Sequence, residues 1–563
     1  MRIGFRLLPL GFWCVASCTV VSCTAVTDAT STQCRSQTDC WARGRAFADT
    51  TCSADRICVP ITTEGGACKT NQECIERNGG ANVICEKSEA RCVSVTTPDC
   101  PTLLADKEDL ANDEVLIVGH MASAIATAAL AEAAFDLARF ESKRVLGGGL
   151  PPSHEGGQKR PIVVLSCVAE PTASGLGSVA AVDRVVNHWA KTLKIPMFIG
   201  PLTTPQVLHV FSQTIPFGLA ALTQNSNQAI TDLADNDLVF RIGPSEPTLL
   251  KVVNPVITQF LDAKIRAENS LADTDEIRLA LVTETGQTLV KTAGTVLSFN
   301  GKTALENGSN FLVVDMGNTT DPVNSPNPET QTAKGLAALK TFAPHVIVWI
   351  TAPTLATRAW APLMRAWPAA VPRPYSITSL PTWQDTIVPA ISSLPAPIQD
   401  ASRSHYLGMN GTSPTFSAQD FQGFVDALRL RKPEFLNQPV STVAGLFYDA
   451  FYLHLYAMAA VGAEPISGRA FARGLRRVAD VSGGVQVRWG TDDISKGLAA
   501  LTAGKNLSYV GATGDYRFDE KGDRVMNSEL FCVQNDAGKL KVNRSGFVLD
   551  QATNTTTNTL NCP

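Results

Sequence analysis

From Asp113 onward the chain alternates short, wholly apolar runs with longer stretches whose apolar positions recur at helical spacing. Glu114-Val115-Leu116-Ile117-Val118-Gly119, Pro161-Ile162-Val163-Val164-Leu165-Ser166 and Met197-Phe198-Ile199-Gly200 predict three strands. An alanine-rich helix from Ala124 to about Phe140 separates the first two, and a helix over 179–193 separates the second from the third. The pattern resumes with strands at 277–282, 311–314 and 345–350. Strands apolar on both faces and joined by helices belong to parallel sheets covered on both sides, so two successive α/β sheets are expected. Ligands bind beyond the carboxyl ends of strands in such sheets. The apolar stretch 444–463 approaches membrane-spanning length, but Asp449, His454 and the lack of a flanking basic cluster make it a buried globular helix.

The first hundred residues follow another pattern. Arg2 and Arg6 precede a mostly apolar run, 7–21, too short for a comfortable membrane span and typical of an export signal. Small residues precede cysteine twice, in Val15-Ala16-Ser17-Cys18 and Val20-Val21-Ser22-Cys23. Both resemble the lipobox of bacterial lipoproteins, which implies a signal peptide over 1–22 and a lipidated cysteine. Cys23 is preferred for its longer apolar region, with Cys18 as the alternative, and an ordinary cleaved signal peptide is the competing reading. Residues 23–33 are then a polar linker.

Nine of the 15 cysteines fall between Cys34 and Cys100, a crowding that points to an oxidising compartment. Eight form an internal repeat, Cys34, Cys40, Cys52 and Cys58 followed by Cys68, Cys74, Cys85 and Cys92. Units this small cannot bury enough apolar surface alone, and each bridge would stabilise them by roughly 2–4 kcal/mol. Zinc is the weaker alternative, since the region has no histidine and no paired C-x2-C knuckle. A disulfide-rich module over 34–100 follows, its pairing open. Cys100, Cys167, Cys532 and Cys562 allow three pairings, of which Cys532–Cys562 is the most local.

A length of 563 residues suggests more than one domain. With 44% hydrophobic and 18% charged residues the chain can bury real cores, and a net charge of −4 leaves no cationic excess for nucleic acid.

Ile199-Gly200-Pro201-Leu202-Thr203-Thr204, Phe240-Arg241-Ile242-Gly243-Pro244-Ser245, Tyr448-Asp449-Ala450 and Phe518-Asp519-Glu520-Lys521-Gly522-Asp523 stand in this order along 113–544. Their order and spacing resemble the type I periplasmic binding proteins of branched-chain amino acid transport. The resemblance implies an α/β fold of two parallel-sheet lobes joined by three hinge crossings, preceded here by the disulfide-rich module. Lobe one would combine about 113–243 with 411–510, and lobe two 244–410 with 511–550, leaving 551–563 as a polar tail. It implies a small-molecule ligand, amino-acid-like or a small carboxylate or amide, an ABC-type transporter permease as partner, and membrane attachment through the lipid anchor alone.

Thr203 and Thr204 stand at a predicted helix start, where free backbone N–H groups suit a carboxylate; plain capping is the alternative. By the resemblance, Gln224 supplies a carbonyl and Ser226 a hydroxyl, with Asn225 between them. His120, Met121 and Ser123 are expected to line the same rim, His120 without a ligand role. Thr285, Thr351 and Thr378 are the expected contacts from the second lobe. There the sequence departs from the family. The loop Thr283-Glu284-Thr285-Gly286-Gln287 lacks the usual aromatic residue, and Tyr375-Ser376-Ile377-Thr378-Ser379 lacks the acidic partner for an α-ammonium. Glu284 reads as a solvated rim residue, the alternative being that it supplies the missing anion from the neighbouring loop. An ammonium buried without an anion costs several kcal/mol, so the α-amino acid ligand does not follow from the fold.

No G-x-S-x-G, H-E-x-x-H or G-x-x-x-x-G-K-[ST] motif occurs, and the histidines are scattered. Catalysis, cofactors and metals are therefore not expected. The reading from another class is an anchored sensory or adhesive module that uses its cysteine repeats for protein contacts.

Overall fold

The structure is a computed structural model. It describes residues 32–61, 67–122, 125–168, 179–200, 204–284, 287–317, 327–438, 440–557 and 559–562. The expected signal peptide and the candidate lipidation sites Cys18 and Cys23 lie outside these residues. The chain divides into two compact units, residues 1–60 and 61–563.

In the first unit the helix Gln37–Trp41 and the antiparallel pair β1 (Thr50–Cys52) and β2 (Cys58–Pro60) are joined by Cys34–Cys52 and Cys40–Cys58. The second cysteine repeat has the same first-to-third, second-to-fourth pairing. Cys68–Cys85 and Cys74–Cys92 hold the helix Asn71–Arg77 to the hairpin of β3 (Val83–Glu86) and β4 (Arg91–Ser94). All eight sulfurs are thus in disulfides.

The second half of the predicted module belongs to the larger unit and is bonded into lobe one. The Asn71 backbone N–H donates to Asp113 Oδ1 at 2.7 Å, Lys194 pairs with Glu86 at 2.9 Å, and Arg184 grips Asp99 with two bonds of 2.7 and 2.9 Å. The lobe-one sheet likewise starts before Asp113. β5 (Thr102–Leu104) runs antiparallel along β7 (Ile162–Val168), and Cys100–Cys167 fastens the two. Four charged residues in a row, Asp106-Lys107-Glu108-Asp109, between β5 and the next strand, masked this edge strand in the sequence.

The rest of that sheet is parallel: β6 (Leu116–Ala122), β7, β8 (Met197–Ile199), β9 (Ala220–Thr223) and β10 (Val239–Arg241), in the order β10-β9-β8-β6-β7-β5. Neighbouring residues feed opposite faces. Val118 and Val164 pack under the helices Ile125–Leu146 and Thr442–Val461, while Ile117 and Val163 pack with Trp189 and Phe211. That is the two-sided burial the apolar runs predict. The helix Thr442–Val461 is the one read over 444–463, and no helix among the described residues is long and apolar enough to cross a membrane.

The second sheet repeats the first. β11 (Leu279–Thr283) is followed by a small hairpin, β12 (Ser298–Phe299) and β13 (Lys302–Thr303). β14 (Phe311–Asp315), β15 (Val346–Ile350), β16 (Tyr375–Ser379) and β17 (Tyr406–Thr412) then complete a parallel set ordered β14-β11-β15-β16-β17. Counted within each lobe, both sheets have strand order 2-1-3-4-5. The chain returns through helices 418–502 to lobe one. There β18 (Val485–Arg488), β19 (Leu507–Gly511) and β20 (Gly514–Asp515) form a three-stranded sheet. It ends in lobe two with β21 (Asn527–Asp536), β22 (Lys539–Asp550) and β23 (Thr555–Thr556), antiparallel along β17. The expected polar tail is therefore partly sheet, and Cys562 is bonded to Cys532 on β21.

Three segments cross between the lobes, 241–246, 412–418 and 515–527. Polar side chains bind them together. Arg524, only 2% exposed, lies 3.7 Å over the Tyr516 ring and donates to the carbonyls of Ile242, Thr513 and Asp515. Arg241 pairs with Asp523 at 3.2 Å, and the Asp515 N–H donates to Ser413 Oγ at 3.0 Å.

Candidate functional site

Where strand order reverses in a doubly wound sheet, successive connections leave toward opposite faces and open a crevice at the carboxyl ends. The reversal lies between β6 and β8 in lobe one and at β11, beside β15, in lobe two.

In lobe one Gly200 follows β8 at φ 111°, and its N–H donates to the Leu222 carbonyl at 2.8 Å. A β-carbon there would fall 2.4 Å from the Met121 carbonyl oxygen, so only glycine lets this connection pass so close to β6. The helix Thr204–Thr214 starts four residues on. Thr204 opens it as expected, although its side chain, with Ser123, Thr203 and Thr285, lies outside what is described. β6 runs to Ala122, three residues beyond its predicted end at Gly119, and this corrects the expectation for His120 and Met121. His120 is fully buried between Phe135 and Phe447, bonded to Ser166 Oγ at 3.0 Å, and burial holds its pKa down at about 3. Met121 is in the core as well.

The loop after β9 carries the next candidates. Asn225 is buried and spends its side chain on the loop itself, its Oδ1 accepting from the Asn227 N–H at 2.9 Å. Ser226 is partly exposed, and its carbonyl accepts from the Glu246 N–H at 2.8 Å, which ties the loop to the first crossing. Both amide atoms of Gln224 are enclosed without a hydrogen-bond partner. Glu246, at that crossing, was not singled out in the sequence. It is buried, accepts from the Gln228 N–H at 3.0 Å, and desolvation raises its pKa to about 7.

In lobe two Glu284 follows β11 and accepts a hydrogen bond from the Ala352 N–H, two residues past β15. It bridges the two strands at the reversal. Its side chain is only 7% exposed, so it is not the solvated rim residue the sequence suggests. Burial raises its pKa to about 6 against the opposing effects of the Ala352 N–H and Arg358. Arg358 sits on the turn Ala356–Trp360, with Nη2 3.7 Å from Glu284 Oε1 and 2.6 Å from the Gly317 carbonyl it donates to. The one sequence signal for Arg358 was a lone cation among apolar residues in the first turn after a central strand.

Thr351 is buried at the end of β15, its carbonyl accepting from the Trp383 indole at 3.2 Å. Thr378 has no exposed surface, and its hydroxyl is paired with the Tyr406 hydroxyl at 2.6 Å. Gly408, opposite Thr378 on β17, leaves room for that tyrosine. Thr378 is a core residue of the sheet, which corrects its expected ligand contact.

No protein-family model matches the chain, and no curated protein matches its sequence. Among solved structures, the leucine-binding protein LivK of Thermotoga maritima superposes over 78% of this chain and 100% of its own, with a TM-score of 0.50 at 13% identity. The chain has the type I periplasmic-binding-protein fold. The branched-chain amino acid transporter substrate-binding protein LivJ of Streptococcus pneumoniae, in complex with isoleucine, covers 76% of this chain and 99% of its own (TM-score 0.47, 15% identity). A solute-binding protein of an ABC transporter from Rhodopseudomonas palustris, in complex with 3,4-dihydroxybenzoic acid, covers 76% and 96% (TM-score 0.47, 14% identity). The two strand-order reversals lie one in each sheet of this fold.

Proposed function

We propose that the protein is an exported solute-binding protein that captures a small polar ligand between its lobes, performs no chemistry on it, and delivers it to an ABC-type importer. The carrying observation is the pair of matching strand-order reversals on lobes joined by three crossings. A ligand touching both lobes favours the closed arrangement, since only differential affinity shifts such an equilibrium. Ser123, Thr203, Thr204, Gln224 and Ser226 would serve from lobe one, with Asn225 shaping their loop. Glu284, Thr285 and Thr351 would serve from lobe two. A thermal-shift screen of amino acids, amides and small carboxylates tests this. Stabilisation that grows with free ligand concentration is expected. No response across the panel, with binding to a protein partner instead, overturns it in favour of a sensory or adhesive role, which the separate disulfide unit formed by 34–60 favours.

The same reading places the protein at the outer side of a membrane, tethered through lipid on Cys23. Replacing Cys18 and Cys23 together with alanine is expected to release it from the membrane fraction. Release by the single Cys23→Ala change identifies that residue, and retention of the double variant rejects lipid anchoring.

A further inference from the structure

Glu284 and Arg358 form a half-satisfied pair at the lobe-two reversal. Glu284 Oε1, Arg358 Nε and Arg358 Nη1 are enclosed and have no hydrogen-bond partner. The other valences are spent, Glu284 Oε2 on the Ala352 N–H and Arg358 Nη2 on the Gly317 and Met316 carbonyls. Buried charged groups left without partners are costly, so the pair has room for an incoming acceptor and donor.

Charge decides between occupants. A carboxylate would satisfy the guanidinium and be repelled by Glu284. An ammonium would satisfy Glu284 and be repelled by Arg358. Asp315 is the other carboxylate acting on Glu284, and its Oδ1 accepts from the Gly317 N–H at 2.8 Å, while Glu329, which also acts on Arg358, is exposed. A neutral group with a carbonyl oxygen and an N–H meets both open partners without burying a net charge.

We propose that the lobe-two end of the ligand is an uncharged amide-type group, its carbonyl accepting from Arg358 and its N–H donating to Glu284 Oε1. This rests on the solute-binding reading above.

The test is calorimetric titration of the full chain with matched trios, benzamide, benzoate and benzylamine, then butyramide, butyrate and butylamine, with isoleucine alongside. The unmodified protein is expected to bind the amide of a trio about tenfold or more tighter than its acid and amine. Glu284→Gln is expected to shift the preference toward the acid by a similar factor, and Arg358→Gln toward the amine. Arg358→Lys, which keeps the charge but loses the fixed fork of donors, is expected to weaken amide binding without favouring the amine. Circular dichroism and melting curves identify variants that fail to fold, and the preference of the unmodified protein alone decides the point if they do. Preference for the acid or amine, or unaltered ratios in folded variants, overturns the amide subsite. Binding of isoleucine with none of the six probes overturns the subsite and leaves solute binding standing, whereas no binding by any compound overturns both.

Discussion

At the scale of single residues, the fold keeps its carboxylates buried where the lobes meet. Asp449 has no exposed surface and accepts from the N–H groups of Ala512 and Thr513 at 2.7 and 2.9 Å, and from the Thr513 and Tyr516 hydroxyls. It fixes the return of the chain beside the third crossing. Gly511 is required there because a β-carbon would fall 2.3 Å from the Asp449 carboxyl carbon. Glu246 plays the matching part at the first crossing, and its titration can be checked. Its folded pKa, about 7, lies above the ordinary 4.5 because burial disfavours the charge. The folded state therefore binds the proton more tightly than the unfolded chain. The stability this contributes is fully present below pH 4.5 and is lost as pH rises through 7. Between pH 5 and 8 the protein is expected to lose about 2–3 kcal/mol relative to Glu246→Gln. Urea unfolding of both proteins across that range measures it, and parallel pH profiles would reject a protonated Glu246. Neither carboxylate announced its role in the sequence. Asp449 stood out in the sequence only as an argument against a membrane span and as part of the family resemblance, and Glu246 not at all, because their surroundings come from other segments, 512–516 for Asp449 and 226–228 for Glu246.

At the scale of elements, the apolar runs at 114–119, 161–166, 197–200, 277–282, 311–314 and 345–350 all became strands of the two parallel sheets, since burial on both faces leaves a local signature. The ends were less legible. β6 continues through His120 because Phe135 and Phe447 enclose the imidazole, a tertiary effect that residue type does not encode. The edge strand β5 was missed for a related reason, being three residues long and held by a partner on a distant element. Its fastening gives an element-scale prediction. Cys100–Cys167 closes a span of 67 residues, and replacing both cysteines with serine is expected to cost about 4 kcal/mol in reversible unfolding. The second disulfide repeat should stay docked, because Arg184–Asp99 and the Asn71 bonds to Asn112 and Asp113 do not depend on the bridge. Hydrogen exchange that remains slow over 68–95 while rising in β5 is the expected pattern, and uniform loss of protection across both would contradict it.

At the scale of the whole molecule, the crossings decide what can move. Arg524 binds the first crossing to the third through Ile242, Thr513 and Asp515, and Arg241 does so again through Asp523, so these two crossings shift together. The loop 224–228 is hydrogen-bonded to the same crossing through Ser226 and Glu246, and the helix Gln228–Thr231 lies alongside the lobe-two helix Gln287–Val296. A side chain in this loop therefore stands near both lobes without belonging to either core. Ser226→Trp fills the space a ligand would enter, yet it replaces a partly exposed side chain whose backbone carbonyl makes the structural bond. The unliganded variant is expected to melt within about 2 °C of the unmodified protein, as surface changes outside cores and caps do. With a ligand found by the thermal-shift screen, small-angle scattering should show compaction of the unmodified protein and none of the variant. Equal compaction and equal affinity in both would place the ligand elsewhere than between the loop after β9 and the reversal at β11.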